Sequence, residues 1–255
     1  MSADLSGSTV IVTGGGRGLG LAIARDLAAH GANVGLIDVL PEVEETAASL
    51  AAELAVSAAA VNCDVRDAGA VEAAFTSLHS ALGTADLLVT AAGITIWGEA
   101  AGVTPEDWQR VLDINLNGTF FACQSFARRL LAEGRTGSAV FISSMSANIV
   151  NVPQFQASYH ASKAAVTMLA KAVAVEWAPA GIRVNAVEPG YMLSDMTRQF
   201  MDQNPDLAQQ WRGMIPLGRM GEPADLVGLV RFLCSPESGY ITGQGMVIDG
   251  GYTAI

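Results

Sequence analysis

Short apolar runs alternate with longer stretches of helical periodicity from one end of the chain to the other. The runs at 9–13, 33–38, 58–63, 87–90, 138–143, 183–187 and 246–248 are β-branched or continuously apolar, as strands covered on both faces should be. Between them, residues 18–29, 43–54, 70–82, 104–131, 157–177 and 223–233 carry helical patterning, several opened by a Thr, Asp or Pro start signal. This alternation predicts a single-domain α/β fold: a doubly wound, seven-stranded parallel sheet with helices on both faces. Two segments break the rhythm. Residues 194–220, with Asn204-Pro205, Trp211 and the methionines Met196, Met201, Met214 and Met220, exceed what a plain βα unit needs and read as an inserted flap over a ligand. The helix after Tyr159 contains AAVTMLAKAVAV, apolar around nearly its whole circumference, so its surplus face is expected at a subunit interface.

Composition narrows the class. The 255 residues are 51% hydrophobic and 15% charged, with a mean hydropathy of +0.35, which excludes a disordered or fibrous chain and fits one sizeable core. Against 25 Asp+Glu stand only 14 Lys+Arg, a net charge of −11, so nucleic acid and anionic membranes lack a basic surface to bind. The start MSADLSGSTVIVTGGG has no basic leader region, and no apolar run approaches the roughly 18 residues that a span needs, so a cytoplasmic protein is expected. Cys63, Cys123 and Cys234 are odd in number and widely spaced, and read as reduced packing residues. His30, His79 and His160 lack metal-ligand spacing, so no metal is expected, and the four tryptophans read as core or interface.

The first strand runs straight into Thr13-Gly14-Gly15-Gly16-Arg17-Gly18-Leu19-Gly20 and then a helix. Glycines let the backbone turn sharply and approach a pyrophosphate, which the helix N-terminus stabilises. The spacing is T-G-x-x-x-G-x-G rather than G-x-G-x-x-G. Asp38 closes the second strand 18 residues after Gly20, where a carboxylate accepts hydrogen bonds from the adenosine ribose hydroxyls. That selects NAD: at 4 Å and an effective dielectric near 20, a 2′-phosphate charge would be repelled by about 4 kcal/mol before screening. Arg17 points the other way, since a guanidinium in the turn could neutralise such a phosphate.

Tyr159 and Lys163 stand at i and i+4 of a helix, hence on one face. A neighbouring ammonium favours the phenolate, and the expectation is that Lys163 moves the Tyr159 pKa down toward the working range.

Taken in order, TGxxxGxG, Asp38, Asp64-Val65, Thr90-Ala91-Ala92-Gly93, Asn115, Ser144, Tyr159-x-x-x-Lys163, Pro189-Gly190 and Asp249-Gly250-Gly251 resemble the short-chain dehydrogenase/reductase family over essentially the whole chain. The resemblance implies a Rossmann-like fold and an oxidoreductase, with Tyr159 as the acid/base and Lys163 as the residue that lowers its pKa and holds the nicotinamide ribose. It implies that Ser144 orients the reacting oxygen and that Asn115, a helix-kinking amide, holds a water in the proton relay. Gly14, Arg17, Gly18, Leu19, Gly20, Asp38, Asp64, Val65 and Gly93 would line the adenosine and pyrophosphate. Pro189, Gly190, Met192 and Ser194 would lie near the nicotinamide. A homotetramer is implied as well.

Ser143, Ser144 and Ser146 compete for the serine role. A separation of 13 residues from the tyrosine, common in the family, selects Ser146. The stretch Ser144-Met145-Ser146 through Asn151, Pro153, Gln154 and Phe155 resembles the polyol dehydrogenase and ketose reductase branch, which selects Ser144. The Thr90-Ala91-Ala92 replacement of the family's amide-bearing residues is expected to alter affinity rather than chemistry. Glu188 occupies a position where the family has a small or weakly polar residue. It is expected, with Asn151, Gln154 and Gln156, to hydrogen-bond hydroxyls of the substrate; the alternatives are pairing with Arg183 or Arg219, or exposure to water. The expected activity is oxidation of a sugar alcohol or other secondary alcohol with NAD, or the reverse reduction. Its rivals are an NADPH-dependent 3-oxoacyl-thioester or other carbonyl reductase, and a dinucleotide sensor without chemistry.

Overall fold

Along the first strand Ile11 faces one apolar core and Val10 and Val12 the other, because successive strand side chains leave opposite faces of a sheet. The computed structural model describes residues 4–193, 201 and 204–255. Its sheet contains β1 (Thr9–Thr13), β2 (Asn33–Asp38), β3 (Ala58–Asn62), β4 (Leu87–Thr90), β5 (Gly137–Ile142), β6 (Ile182–Pro189) and β7 (Gly245–Ile248). All neighbours are parallel, in the order β3-β2-β1-β4-β5-β6-β7. The order reverses between β1 and β4, and the crevice beyond the strand ends at such a reversal is where open α/β sheets bind ligands.

The helices are α1 (Gly18–Ala29), α2 (Val43–Leu54), α3 (Ala68–Leu82), α4 (Pro105–Leu112), α5 (Gly118–Glu133), α6 (Ala157–Trp177), α7 (Pro205–Gly213) and α8 (Pro223–Cys234). On one face Phe75, Phe126 and Val166 bring α3, α5 and α6 onto the sheet. On the other, Ile23, Leu50 and Leu226 do the same for α1, α2 and α8. Cys63, Cys123 and Cys234 are buried and unpaired. Among the described residues no helix is long and apolar enough to cross a membrane, and no cluster of His, Cys, Asp or Glu could hold a metal ion.

The helix expected over 104–131 is not continuous. Thr104 caps α4 by accepting the Asp107 N–H at 3.1 Å. After Leu112 the chain widens into a π-helical turn, Asp113–Asn117, before α5 resumes. Such wide turns collect at functional sites, and this one carries Asn115. Of the expected flap, the described part is a short helix: Pro205 opens α7, and Ala208, Trp211, Ile215 and Met220 form a small satellite core with Met201.

Candidate active site

The turn after β1 is held tightly. Gly14 adopts φ +68°, and a Cβ there would come within 2.6 Å of the Ala92 backbone nitrogen, so the turns after β1 and β4 touch main chain to main chain. A Cβ on Gly20 would lie 2.0 Å from the Gly14 carbonyl. Asp38, 8% exposed, accepts the Gly16 N–H at Oδ2 (2.8 Å) and the Leu40 N–H at Oδ1 (3.1 Å). Gly18 (φ +58°) has open space where its Cβ would be, Leu19 follows on the first turn of α1, and Arg17 is exposed just before that helix. This is a cradle of bare backbone at a helix N-terminus with an acid beside it, and it fits a dinucleotide.

Further along the crevice, Asp64 is forked by Arg66, whose Nε and Nη2 donate at 2.6–3.0 Å; this bonding holds the Asp64 carboxyl below its ordinary value. Val65 packs against Gly118, where a Cβ would meet Val65 Cγ2 at 2.7 Å. Gly93 stands between the two catalytic candidates on either side: its Cβ would lie 3.3 Å from Asn115 Oδ1 and 3.4 Å from Lys163 Nζ. At the other end, Pro189 closes β6, and Gly190 lies so close to Asp249 that a Cβ would reach its Cα at 2.7 Å. Met192 is buried and bridges to Gly221. Ser194 lies outside the described residues.

On α6, Lys163 is buried, and its Nζ sits 5.6 Å from the centroid of the Tyr159 ring while donating to the Ile142 carbonyl at 2.8 Å. The expected lowering of the phenol's pKa by the ammonium is not what the structure shows. Burial pushes Tyr159 up, and only the hydrogen bond with Ser144 pulls it down. Lys163 is itself lowered to about 8 by burial. Spacing brought the two side chains together, and burial disfavours the charged form of each.

Asn115 is buried, accepts the Ile94 N–H at Oδ1 (2.8 Å) and donates from Nδ2 to the Ile94 carbonyl and the Ser162 hydroxyl, both at 3.0 Å. The Ser162 hydroxyl donates to the Tyr159 carbonyl at 2.8 Å, so the amide reaches the tyrosine through its backbone. The three serines separate cleanly. Ser144 is the one beside the phenol. Ser146 lies 3.1 Å from Ser144 Oγ and donates to Asn151 Oδ1. Ser143 turns away, donating to the Lys163 carbonyl at 2.8 Å.

Asn151, Gln154 and Gln156 converge with Ser144 on one polar strip. Gln156 donates to Asn151 Oδ1 at 3.4 Å and accepts from Thr95 at 3.0 Å. Gln154 donates to the Tyr191 hydroxyl at 2.8 Å and accepts from the Trp211 indole at 3.1 Å. Glu188 does not join them. Its carboxyl is bonded to Asn148 and Thr167, which removes the reason for giving it to a substrate. The alternatives fail too, since Arg183 binds the carbonyls of Leu233 and Ser235 and Arg219 forks Asp225.

Sequence reasoning missed His160 and Tyr191. The Asn151 N–H donates to His160 Nε2 at 3.0 Å, and Nδ1 lies 2.9 Å from the Gln156 carbonyl, so the imidazole staples the loop before α6. Tyr191 stacks on Trp211 with ring centroids 4.7 Å apart, anchoring α7 over the strip. Nothing in the spacing of these residues marks them, since their partners come from three separate segments.

A family model described as enoyl-(acyl carrier protein) reductase matches residues 14–253. The chain belongs to the short-chain dehydrogenase/reductase family. It is similar to a galactitol 2-dehydrogenase (L-tagatose-forming) of Cereibacter sphaeroides, 42% identical over 98% of this chain and 96% of that one. It is also similar to a D-arabinitol 2-dehydrogenase (ribulose-forming) of Scheffersomyces stipitis, 39% identical over 97% of this chain and 94% of that one. Among solved structures, an NADPH-dependent 3-quinuclidinone reductase from Rhodotorula rubra superposes with a TM-score of 0.90 at 32% identity, covering 99% of this chain and 93% of its own. Members of the short-chain family with this fold thus include both polyol dehydrogenases and a carbonyl reductase.

Proposed function

We propose that this oxidoreductase interconverts a secondary alcohol, a sugar alcohol by preference, and its ketone, using NAD, with Tyr159 as the general acid/base. The observation that carries the reading is the placement of the Ser144 hydroxyl beside the half-buried Tyr159 phenol, with Lys163 Nζ 5.6 Å from the ring centroid. In the oxidation, Tyr159 acts once it has lost its own proton: the phenolate accepts the alcohol proton while Ser144 Oγ holds the reacting oxygen in line with it, and in the reverse reduction the phenol donates that proton. A dinucleotide held in the cradle would supply the acceptor for the hydride. Lys163 Nζ lies beside Gly93, 3.4 Å from where a Cβ would stand, and would hold the nicotinamide ribose. Asn115 fixes the tyrosine through Ser162. Gly14, Arg17, Gly18, Leu19, Gly20, Asp38, Asp64, Val65 and Gly93 would hold the adenosine and pyrophosphate, and Pro189, Gly190, Met192 and Ser194 the nicotinamide end.

Asp38 supports NAD, because its carboxyl is already fixed where a ribose 2′-phosphate would bring like charge. Polar Asn151, Gln154 and Gln156 beside Ser144 support a substrate with several hydroxyls, in keeping with the relatives' galactitol and D-arabinitol. The second reading, an NADPH-dependent carbonyl reductase, rests on the exposed Arg17 guanidinium in the glycine turn. Met168 and Val175 leave an apolar strip of α6 exposed, which supports the tetramer, measurable by light scattering.

The test is a panel of hexitols, pentitols and simple diols, followed by reduced-nicotinamide absorbance with NAD or NADP. The proposal expects turnover of a polyol with NAD as the better coenzyme and its loss in Tyr159→Phe. A higher kcat/KM with NADP selects the second reading, and turnover surviving in Tyr159→Phe refutes the assignment of the acid/base.

A further inference from the structure

Glu188 is an acid in the interior of a parallel sheet, 2% exposed, and each of its oxygens has a donor. Asn148 Nδ2 donates to Oε2 at 2.6 Å, and the Thr167 hydroxyl donates to Oε1 at 2.8 Å. The Thr167 hydroxyl also lies 2.9 Å from Ser143 Oγ, and Ser143 donates to the Lys163 backbone carbonyl at 2.8 Å. The Lys163 ammonium donates to Ile142, the residue before Ser143, at 2.8 Å. Tyr159, Lys163 and Thr167 follow one another at four-residue spacing along α6, so they share one stripe of the helix. One carboxyl therefore joins β6, the end of β5, the stripe of α6 that carries the tyrosine and lysine, and Asn148 on the loop after Ser144.

The neighbouring strand makes room for this junction. Gly245 on β7 has no side chain where a Cβ would stand 2.6 Å from Glu188 Oε1 and 3.2 Å from Thr167 Cγ2. An interior acid of this kind is kept only where its bonds are satisfied, and a satisfied network fixes the elements it connects.

We infer that Glu188 is a positioning residue: it sets the height of the α6 stripe against β5 and β6, so that Lys163 and Ser144 hold their places, and it does not touch the substrate. This rests on the reading of Tyr159, Lys163 and Ser144 as the machinery of an alcohol dehydrogenase. The argument distinguishes Gln from Ala at this site. A glutamine can accept from Asn148 through its carbonyl and donate to Thr167 through its amide, leaving Thr167 to donate to Ser143 and Ser143 to Lys163. Glu188→Gln therefore keeps every bond, whereas Glu188→Ala and Thr167→Val break the chain at different points.

The experiment compares wild type, Glu188→Gln, Glu188→Ala and Thr167→Val. It measures kcat and KM for a polyol and for a plain secondary alcohol, the Kd for the dinucleotide by tryptophan fluorescence, and Tm. The expected result is a kcat loss of roughly tenfold to a hundredfold in Glu188→Ala and Thr167→Val on both alcohols, with a weaker dinucleotide Kd and an unchanged ratio of the two KM values. Glu188→Gln is expected to behave as wild type. A KM rise confined to the polyol in Glu188→Gln overturns the inference in favour of substrate contact. A lower Tm with kcat and Kd unmoved overturns it in favour of core packing alone. Thr167→Val, which preserves side-chain shape, decides the matter if Glu188→Ala does not fold. Tyr159→Phe runs alongside: retained turnover there indicts the reading of the site, and its loss leaves the Glu188 outcome to stand by itself.

Discussion

Asp38 Oδ2 accepts the backbone N–H of Gly16 at 2.8 Å, which ties the acid closing β2 to the glycine turn that follows β1. The carboxyl is thus a support of the cradle as well as a selector of its occupant. Asp38→Ala is expected to do two things at once. It removes like charge opposite a 2′-phosphate, so the preference for NAD over NADP narrows by about tenfold or more. It also frees the turn, so the KM for NAD rises. Steady-state kinetics with both coenzymes read each effect; an unchanged coenzyme ratio would contradict the role given to Asp38.

The serine assignment rests on which hydroxyl meets the phenol. Ser144→Ala is expected to lower kcat by roughly a hundredfold or more, the scale of losing one donor at a reacting oxygen. Ser146→Ala, which loses only contacts to Ser144 and Asn151, is expected to cost far less. Equal losses, or the reverse order, would move the role to Ser146.

Titration of the α6 pair follows from burial. Tyr159 is raised above its ordinary value of 10.0, so the difference spectrum between wild type and Tyr159→Phe should show no phenolate from this residue near neutral pH in the protein alone. Lys163 falls from 10.5 to about 8. Below pH 8 folded and unfolded chains both carry the charge, and the folded state bears the full cost of burying it. From about pH 8 to 10.5 the folded protein loses its proton first, so this group's contribution to stability improves with rising pH. Denaturation midpoints across that window, compared with Lys163→Met, measure the effect. A contribution that declines there would show that the ammonium is better solvated than its burial indicates.

Among the described residues one buried side-chain polar atom has no partner, the Thr90 hydroxyl on the central strand β4, 2% exposed. Valine has the same shape and the same preference for strands without the unpaired oxygen. Thr90→Val should leave stability unchanged or raise it by about 1 kcal/mol, read as the midpoint of chemical denaturation. A clear loss would reveal a partner for the hydroxyl.

Much of the fold could be read from the chain because the strands are covered on both faces: apolar runs and intervening helical periods map directly onto β1 to β7 and most helices. The break between α4 and α5 was hidden in the periodicity, since apolar spacing continues across Asp113–Asn117 while the backbone pairing changes. At the site, local patterns identified the glycine turn, Asp38, Tyr159 and Lys163, whose partners lie nearby in sequence or follow from helix spacing. The partners of Glu188 inside the fold were not legible, because Asn148 and Thr167 come from distant segments. The Tyr159 pKa was misjudged because i,i+4 spacing reports distance and says nothing about desolvation.

The three cysteines lie inside the protein, Cys123 and Cys234 with thiols pushed up to about 12 by burial and Cys63 also raised. Thiolates react and thiols do not, so the folded chain offers alkylating dyes almost nothing to attach to. A cysteine placed at Val150, 71% exposed on the loop before α6, would become the single labelling point, and a fluorophore there would report on the surroundings of that loop without any need to strip out native sulfur first.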